Sequence, residues 1–210
     1  MSLFDLSGKS AIITGSSRGI GRAIAEAMAD AGAKVTISSR KPGPCQEVAA
    51  GINEKHGDGT AIAVPANISS KDENNIISNH WLIQMCMPQM RDRKDGAIIL
   101  VSSIGGLRGS PIIGAYNISK AADFQLARNL ATEYGKDNIR VNCIAPGLIR
   151  TDFARALWED PKNLKSALSG TPMARIGEPE EIAGAAVYLA SKAGAYMTGQ
   201  MMVVDGGATC

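Results

Sequence analysis

Several residue types are scarce in this 210-residue sequence, and their scarcity excludes whole classes of site. Aromatic residues make up only 4%, there are two histidines, and the four cysteines share no metal-binding or redox spacing. The histidines stand apart from any cysteine or carboxylate cluster, so we expect no metal site. A disulfide framework is not expected in a domain of this size, and free thiols are typical of a reducing, cytoplasmic location.

Long apolar runs and a strong charge imbalance are also missing. No apolar run approaches the roughly 20 residues of a membrane span, and residues 1–10 lack the basic and apolar segments of a signal peptide. The formal net charge is +2, with the charges interspersed, so we expect neither nucleic acid nor a membrane as a partner. The composition is that of an ordinary globular protein, and the length predicts a single domain over residues 1–210.

Short apolar segments alternate with helical ones along the chain. Strands are predicted at residues 10–14, 34–38, 60–66, 96–102, 139–145 and 200–204. Helices are predicted at residues 19–31, 44–55, 75–92, 115–134 and 179–190, with an irregular helical stretch at 151–168. Because the strands are almost continuously apolar, both of their faces should be buried. The sequence therefore predicts an α/β fold, with a doubly wound parallel sheet in three layers.

A glycine-rich turn follows the first predicted strand and opens an alanine-rich helix. Glycine lets the backbone turn sharply and lets a pyrophosphate approach closely, while the helix N-terminus offers free N–H groups to phosphates. A tight turn without a ligand is the alternative, but the strand before it and the helix after it favour a dinucleotide site. The residues expected to contact the cofactor are Gly15, Ser17, Arg18, Gly19, Ile20 and Gly21.

The residues after the second strand bear on which dinucleotide binds. A carboxylate there would select NAD(H) by bonding the ribose 2′-hydroxyl, but this sequence has Ser38-Ser39-Arg40-Lys41 and no acid. Together with Arg18, these cations favour a 2′-phosphate. We therefore predict NADP(H), with Ser39 and Arg40 in the site, over NAD(H). A solvated basic loop is the other interpretation.

A tyrosine and a lysine, Tyr116 and Lys120, lie four residues apart at the start of a predicted helix. That spacing places them on one helix face, where the lysine charge favours loss of the phenolic proton. Such a tyrosine can give a proton to a carbonyl oxygen or take one from an alcohol. A surface pair on the helix is the alternative.

Ser103 follows the 96–102 strand, at the sheet edge where ligands bind in open α/β sheets. Its hydroxyl can stabilise charge that develops on a substrate oxygen. Ser102 is the neighbouring alternative.

Together these motifs resemble the short-chain dehydrogenase/reductase family. The quoted features are T-G-x-x-x-G-x-G, a serine 13 residues before the tyrosine, Y-x-x-x-K, R-V-N-x-x-x-P-G at residues 140–147, and Val204-Asp205-Gly206-Gly207. The resemblance covers nearly the whole chain. It implies hydride transfer with a ketone, aldehyde or secondary alcohol, with Ser103, Tyr116 and Lys120 catalytic. Tyr116 and Lys120 would also contact the cofactor.

The resemblance also implies roles outside these motifs. Asn75, which lies 13 residues before Pro88, matches a fourth catalytic residue that holds a water and relays protons through Lys120. Asn74 and Asn79 are rival assignments, and a helix N-cap is the simpler role.

Further cofactor contacts are implied at both ends of the dinucleotide. Asn67 lies where the family often has an aspartate that contacts adenine, and the nicotinamide end would be held by Pro146, Gly147, Ile149 and Thr151. Residues 151–170 would form a substrate lid. Phe153, Leu157 and Trp158 would either shape its apolar pocket or simply pack.

Residues 138–160 look most similar to broad-range NADPH carbonyl reductases. A 3-oxoacyl-[acyl carrier protein] reductase is the second candidate, and a catalytically inactive cofactor-binding homologue is the third. By analogy with the family, helices 75–92 and 115–134 would pack in a homotetramer.

One part of the family pattern is missing from the sequence. Asn67 and Asn75 are only eight positions apart, whereas the family has a helix and a fourth strand there, a unit of roughly 30 residues or more. That strand would pair beside the first one, and each backbone group left unpaired by its loss costs about 1–3 kcal/mol. Either the molecule carries a segment that the printed sequence omits, with its seam at residues 71–74, or a deletion has repacked the sheet at the expense of activity. An intact mass of 21.9 kDa would exclude the first explanation.

Overall fold

The computed structural model describes residues 2–67 and 75–210, without the side chains of Asn75 and Ile76. The predicted seam at residues 71–74 lies outside the described residues. The strands are β1 Ser10–Thr14, β2 Lys34–Ser38, β3 Ala61–Ala63, β4 Gly96–Val101, β5 Ile139–Pro146 and β6 Met201–Val204. The α-helices are α1 Gly19–Asp30, α2 Pro42–His56, α3 Asn75–Arg93, α4 Gly114–Tyr134, α5 Arg155–Trp158, α6 Pro161–Leu168 and α7 Pro179–Ala190.

The predicted alternation of strands and helices is confirmed, with one strand shorter than expected. The third strand covers only Ala61–Ala63 instead of residues 60–66. It lies at the edge of its sheet, and Pro65 has no N–H to give to a strand ladder. The amides of Val64 and Ala66 still donate to the Ile37 and Ser39 carbonyls, so the segment keeps running beside β2.

The strands form a Rossmann-like arrangement of two parallel sheets, ordered β1-β2-β3 and β4-β5-β6. Ile12 of β1 lies opposite Thr36 of β2, and Ile98 of β4 lies opposite Val141 of β5. Within residues 2–67 and 75–210, β1 and β4 each keep one edge that pairs with no other strand. The family resemblance implies a further strand beside β1.

Helix α7 joins the two sheets through a shared core. Its buried residues Ile182, Ala186 and Leu189 belong to one apolar cluster with residues of α1, β2 and β5. A second cluster packs α4 against β4 and β5. Strand β5 is almost entirely buried, whereas Ile12 in the middle of β1 is 57% exposed. One face of β1 therefore exposes apolar surface that is normally buried in a parallel sheet.

Among the helices of the described chain, none has the length and apolar character that a membrane crossing requires.

Candidate active site

The glycine-rich turn joins β1 to α1 and has a geometry that only glycine adopts easily. Gly15 and Gly19 have φ angles of +68° and +54°. A side chain at Gly21 would place its Cβ 2.5 Å from the Gly15 carbonyl oxygen, whereas a Cβ at Gly15 would meet nothing within 4 Å. The Arg18 side chain makes no capping bond to the first turn of α1. The turn thus presents bare backbone and helix N–H groups to open space, which fits a dinucleotide pyrophosphate.

Ser16 fixes this turn to the neighbouring strand, and sequence reasoning missed it. The residue is fully buried; its Oγ donates to the Ile13 carbonyl at 2.6 Å and accepts from the Ser38 N–H at 2.9 Å. Its own N–H donates to the Ser38 carbonyl. These bonds place the turn directly beside the end of β2, where Ser39 and Arg40 follow.

The predicted adenosine-side residues come together at the carboxyl ends of β1, β2 and β3. Arg18 and Arg40 are exposed, and the Arg18 guanidinium lies 3.6 Å from the Asp152 carboxylate. The Ala66 N–H donates to the Ser39 carbonyl at 3.1 Å, so the next residue, Asn67, lies close to the same strand end.

Ser103 and Tyr116 meet around Gly105. Ser103 caps the short 3₁₀ turn that follows β4, and its Oγ accepts from the Gly105 N–H at 3.0 Å. Tyr116 lies in the first turn of α4. A Cβ built on Gly105 would be 3.4 Å from Ser103 Oγ and 3.3 Å from Tyr116 Cε1. The bare glycine therefore lets the hydroxyl and the phenol ring share one space.

Lys120 lies one helical turn after Tyr116, with its Nζ 5.8 Å from the centre of the tyrosine ring. The ammonium donates to the Val101 carbonyl and to an Asp123 carboxylate oxygen, each at 3.3 Å. Ser102 donates its hydroxyl to the Lys120 carbonyl at 2.8 Å. Ser102 thus ties β4 to α4, and Ser103 is the hydroxyl that lies beside the tyrosine.

The fourth predicted catalytic residue, Asn75, begins α3, but its side chain lies outside the described residues, as does the rival Asn74. The other rival, Asn79, has its Nδ2 3.4 Å from an Asp123 carboxylate oxygen. Asn75 therefore stays a prediction.

The predicted nicotinamide-side residues connect the two halves of the site. The Gly147 N–H donates to the Val204 carbonyl, and a Cβ at Gly147 would lie 2.7 Å from the Asp205 Cα, so the P-G and V-D-G-G motifs touch. Thr151 contacts the glycine-rich turn: its Cγ2 lies 3.3 Å from the Cβ position of Gly19. The chain after β5, which begins with Pro146 and Gly147 and includes the buried Ile149, thus runs to the glycine-rich turn.

The expected lid begins directly after Thr151. The Phe153 ring, 85% exposed, stacks on Tyr116 with ring centres 6.3 Å apart and 30° between the planes. Leu157 is also exposed. Trp158 instead donates its Nε1–H to the Thr151 carbonyl at 3.0 Å. Phe153 therefore lies beside Tyr116, whereas Trp158 is bonded to the backbone at the start of this segment.

Burial dominates the electrostatics beneath the site. The Cys143 thiol lies under α4, and burial, with the nearby Asp123 charge, raises its pKa to about 12. This thiol is therefore neutral at physiological pH. Within the described parts of the chain, no three His, Cys, Asp or Glu side chains are grouped so that they would hold a metal ion.

Known proteins match the chain along almost its whole length. "Dehydrogenase/reductase SDR family member 4" of Bos taurus is 35% identical, over 96% of this chain and 88% of its own. "3-oxoacyl-[acyl-carrier-protein] reductase FabG" of Chlamydia trachomatis is 37% identical, over 95% of this chain and 96% of its own.

Solved structures also superpose on nearly the whole chain. A 7α-hydroxysteroid dehydrogenase complexed with NADH and 7-oxo glycochenodeoxycholic acid superposes with a TM-score of 0.91 at 31% identity, covering 98% of this chain and 96% of its own. The Pseudomonas aeruginosa RhlG/NADP active-site complex gives 0.88 at 33% identity, covering 100% of both chains. A 3-oxoacyl (acyl-carrier-protein) reductase from Agrobacterium tumefaciens C58 with NADP bound gives 0.88 at 31%, covering 97% and 95%.

The alignment with the bovine relative shows that this chain is internally short. It spans 244 positions, and the chain has 210 residues, so at least 34 positions of the relative face no residue here. Residues 9–80 match the family model described as short chain dehydrogenase, and residues 73–209 match the one described as Enoyl-(Acyl carrier protein) reductase. The chain belongs to the short-chain dehydrogenase/reductase family, whose members are oxidoreductases that bind nicotinamide cofactors and act on small molecules.

Proposed function

We propose that the protein transfers a hydride between NADP(H) and a ketone, an aldehyde or a secondary alcohol. The observation that carries this proposal is the meeting of Ser103 Oγ and the Tyr116 ring around Gly105, one helical turn from Lys120. Thr151 packs against the glycine-rich turn at Gly19, so one continuous cleft would hold the dinucleotide and the substrate.

The chain's own residues handle the oxygen and the proton. When bound, NADPH supplies the hydride for the carbonyl carbon. Ser103 donates a hydrogen bond to the carbonyl oxygen and stabilises the charge that grows there, and Tyr116 gives its phenolic proton to that oxygen. Lys120 stabilises the phenolate left behind, and Asn75 holds the water through which the proton is replaced. Alcohol oxidation runs through the same residues in reverse.

The basic residues at the adenosine end support NADP(H) over NAD(H). Arg18 and Arg40 are exposed next to the end of β2, where residues 38–41 contain no carboxylate to select a free 2′-hydroxyl. A guanidinium binds a phosphate through charge-assisted hydrogen bonds. Of the three solved structures described above, two carry NADP and the hydroxysteroid dehydrogenase carries NADH.

A carbonyl reductase is the favoured activity, and a 3-oxoacyl-[acyl carrier protein] reductase is the alternative. The exposed apolar side chains of Phe153 and Leu157 lie in the proposed lid at residues 151–170, and they suit a substrate with apolar surface next to its carbonyl group.

A catalytically inactive cofactor-binding protein is the second candidate function. The edges of β1 and β4 that are unpaired among residues 2–67 and 75–210 favour it, because β1 leads into the glycine-rich turn and β4 leads into Ser103. A site whose two halves are not joined by a strand would hold its reacting groups less firmly, and a misplacement of about 1 Å can cost 10²-fold in rate.

A homotetramer is the proposed assembly. Helices α3 and α4 carry exposed apolar side chains, among them Trp81, Met85 and Ile118. Large exposed apolar patches mark protein–protein contacts, and we place these side chains between the subunits of the proposed tetramer.

A ketone screen tests the proposed activity. The reduced-nicotinamide absorbance is followed with a panel of ketones, with NADPH and NADH in parallel, and turnover is expected with NADPH. Tyr116→Phe should lower kcat/KM by about 10²- to 10⁴-fold, because it removes the proton donor, while NADPH binding measured by fluorescence stays near normal. Tyr196→Phe, at a fully exposed tyrosine, is the matched control and should change neither.

Two outcomes separate the candidates. Undiminished turnover in Tyr116→Phe would contradict the mechanism. NADPH binding without turnover, in a protein whose intact mass is 21.9 kDa, would support the inactive form instead.

A further inference from the structure

A buried carboxylate that the mechanism above does not use lies directly behind Lys120. Asp123 is three residues further along α4 and only 1% exposed. One of its carboxylate oxygens lies 3.3 Å from Lys120 Nζ, and the other accepts from Asn79 Nδ2 at 3.4 Å. An ionised carboxylate at such depth is strongly unfavourable unless it is paired. The Lys120 ammonium therefore compensates the buried charge of Asp123.

The groups that face the pair from the surrounding elements leave Lys120 as its main counter-charge. From β5, Cys143 contributes a neutral thiol, which donates to the Asp123 carbonyl at 3.3 Å. From β4 there is the Val101 carbonyl, and from α3 the amide of Asn79. Arg128, further along α4, is a more exposed cation whose charge also reaches Cys143.

The ion pair also determines where the lysine charge is held. Lys120 Nζ donates inward, to Asp123 and to Val101, and lies 5.8 Å from the centre of the Tyr116 ring. Coulomb energies fall with distance, and an adjacent negative charge offsets part of a positive one. Both effects weaken the influence of Lys120 on the tyrosine hydroxyl.

We propose that Asp123 is a positioning residue that holds the Lys120 ammonium inward and offsets its charge, so that less of the lysine's positive charge acts on the Tyr116 hydroxyl. The catalytic consequence of this inference rests on the proposed function. The effect of the Asp123 charge on Tyr116 can be measured in the protein without cofactor.

Asp123→Asn tests the proposal because it removes the charge and keeps the shape. The tyrosinate absorbance of the cofactor-free protein is titrated, and the contribution of Tyr116 is isolated as the difference from the same protein carrying Tyr116→Phe. We expect the Tyr116 step to move about one pH unit lower in Asp123→Asn. In the active enzyme, the alkaline loss of ketone reduction should move down by the same amount.

Two further variants serve as controls. Asp123→Leu also removes the charge and needs no hydrogen-bond partner, so it should give the same shift and replaces Asp123→Asn if that variant does not fold. Asp137→Asn removes a carboxylate paired with Arg91 at the far end of α4 and should leave the Tyr116 step unchanged.

The outcomes distinguish this inference from the proposed function. An unmoved step, or a step at higher pH, in both charge-removing variants overturns the role of Asp123. A step that moves lower in a protein without ketone turnover leaves the role of Asp123 standing and counts against the proposed function alone.

Discussion

Under the proposed function, Arg40 is the residue on which the choice between NADP(H) and NAD(H) should depend most. It is exposed at the end of β2, and Ser16 fastens the glycine-rich turn beside it. A charge-assisted hydrogen bond contributes about 1.5–3 kcal/mol, so Arg40→Ala should weaken NADPH binding by roughly 10- to 100-fold. NADH lacks the 2′-phosphate, and its binding should change little.

Fluorescence titration of the purified protein with each dinucleotide measures both constants. Lys34→Ala removes an exposed cation from the opposite end of the same strand and serves as the control. Equal weakening of NADPH and NADH in Arg40→Ala would mean that the arginine does not contact the 2′-phosphate.

Residues that repeat a recognisable spacing could be predicted from the sequence, whereas those that act through buried contacts could not. Gly15, Tyr116 and Lys120 stand out because a strand-turn-helix context or a four-residue interval marks them. Ser16 sits among similar turn residues, and nothing in its spacing shows that its hydroxyl joins β1 to β2. Asp123 looks like an ordinary helix-surface acid, and only tertiary packing reveals that it is buried against Lys120.

At the scale of elements, the first turn of α7 contains a carboxylate, Glu181, whose ionised form is stabilised by hydrogen bonds from neighbouring residues. Glu181 accepts two hydrogen bonds from the Arg175 guanidinium and one from the Glu178 N–H. The Arg175 bonds are the main cause of a Glu181 pKa lowered to about 2. A lowered carboxyl pKa stabilises the fold above the ordinary value of 4.5, and this contribution is lost as the pH falls from there toward 2.

Glu181→Gln should therefore lower the urea midpoint at neutral pH, and the difference from the unmodified protein should shrink as the pH falls below 4.5. Urea denaturation followed by circular dichroism over that pH range is the measurement. Glu180→Gln removes a charge from the same first turn and should have the smaller effect at neutral pH. A midpoint difference for Glu181→Gln that does not depend on pH would show that the carboxylate charge is not what stabilises the start of α7.

The elements themselves were largely predictable because each depends on nearby residues. The apolar runs of β1 and β2 and the proline at the start of α7 predicted bounds that the structure reproduces. Strand β3 was predicted too long because Pro65 interrupts an edge strand. Strand pairing depends on residues distant in sequence, so the split into two sheets was not predicted. The sequence showed only that the interval between Asn67 and Asn75 is too short for the family pattern.

For the whole molecule, the open edges of β1 and β4 decide whether the two halves of the site are held together. Strand β5 is paired on both sides and buried, whereas β1 and β4 are paired on one side only within the described residues. Helix α7 still packs against both sheets, which keeps them in one core without joining them by backbone hydrogen bonds. A chain of 210 residues should therefore have two firm strands, β2 and β5, each paired with a strand, β1 or β4, that opens locally.

Hydrogen exchange followed by mass spectrometry tests this expectation directly. Amides at an unpaired edge have no ladder partner and exchange through small local openings, so peptides covering β1 and β4 should exchange much faster than the peptide covering β5. Peptides covering β2, which is paired on both sides, are the control for position in the chain. Equally slow exchange in β1 and β5 would mean that another strand covers the edge, and a mass above 21.9 kDa would then identify that strand as a segment of the molecule itself. A mass of 21.9 kDa together with fast exchange in β1 and β4 would instead describe a short family member, in which side-chain packing through α7, and of Thr151 against Gly19, holds the cofactor turn and the Ser103–Tyr116 pair within one core.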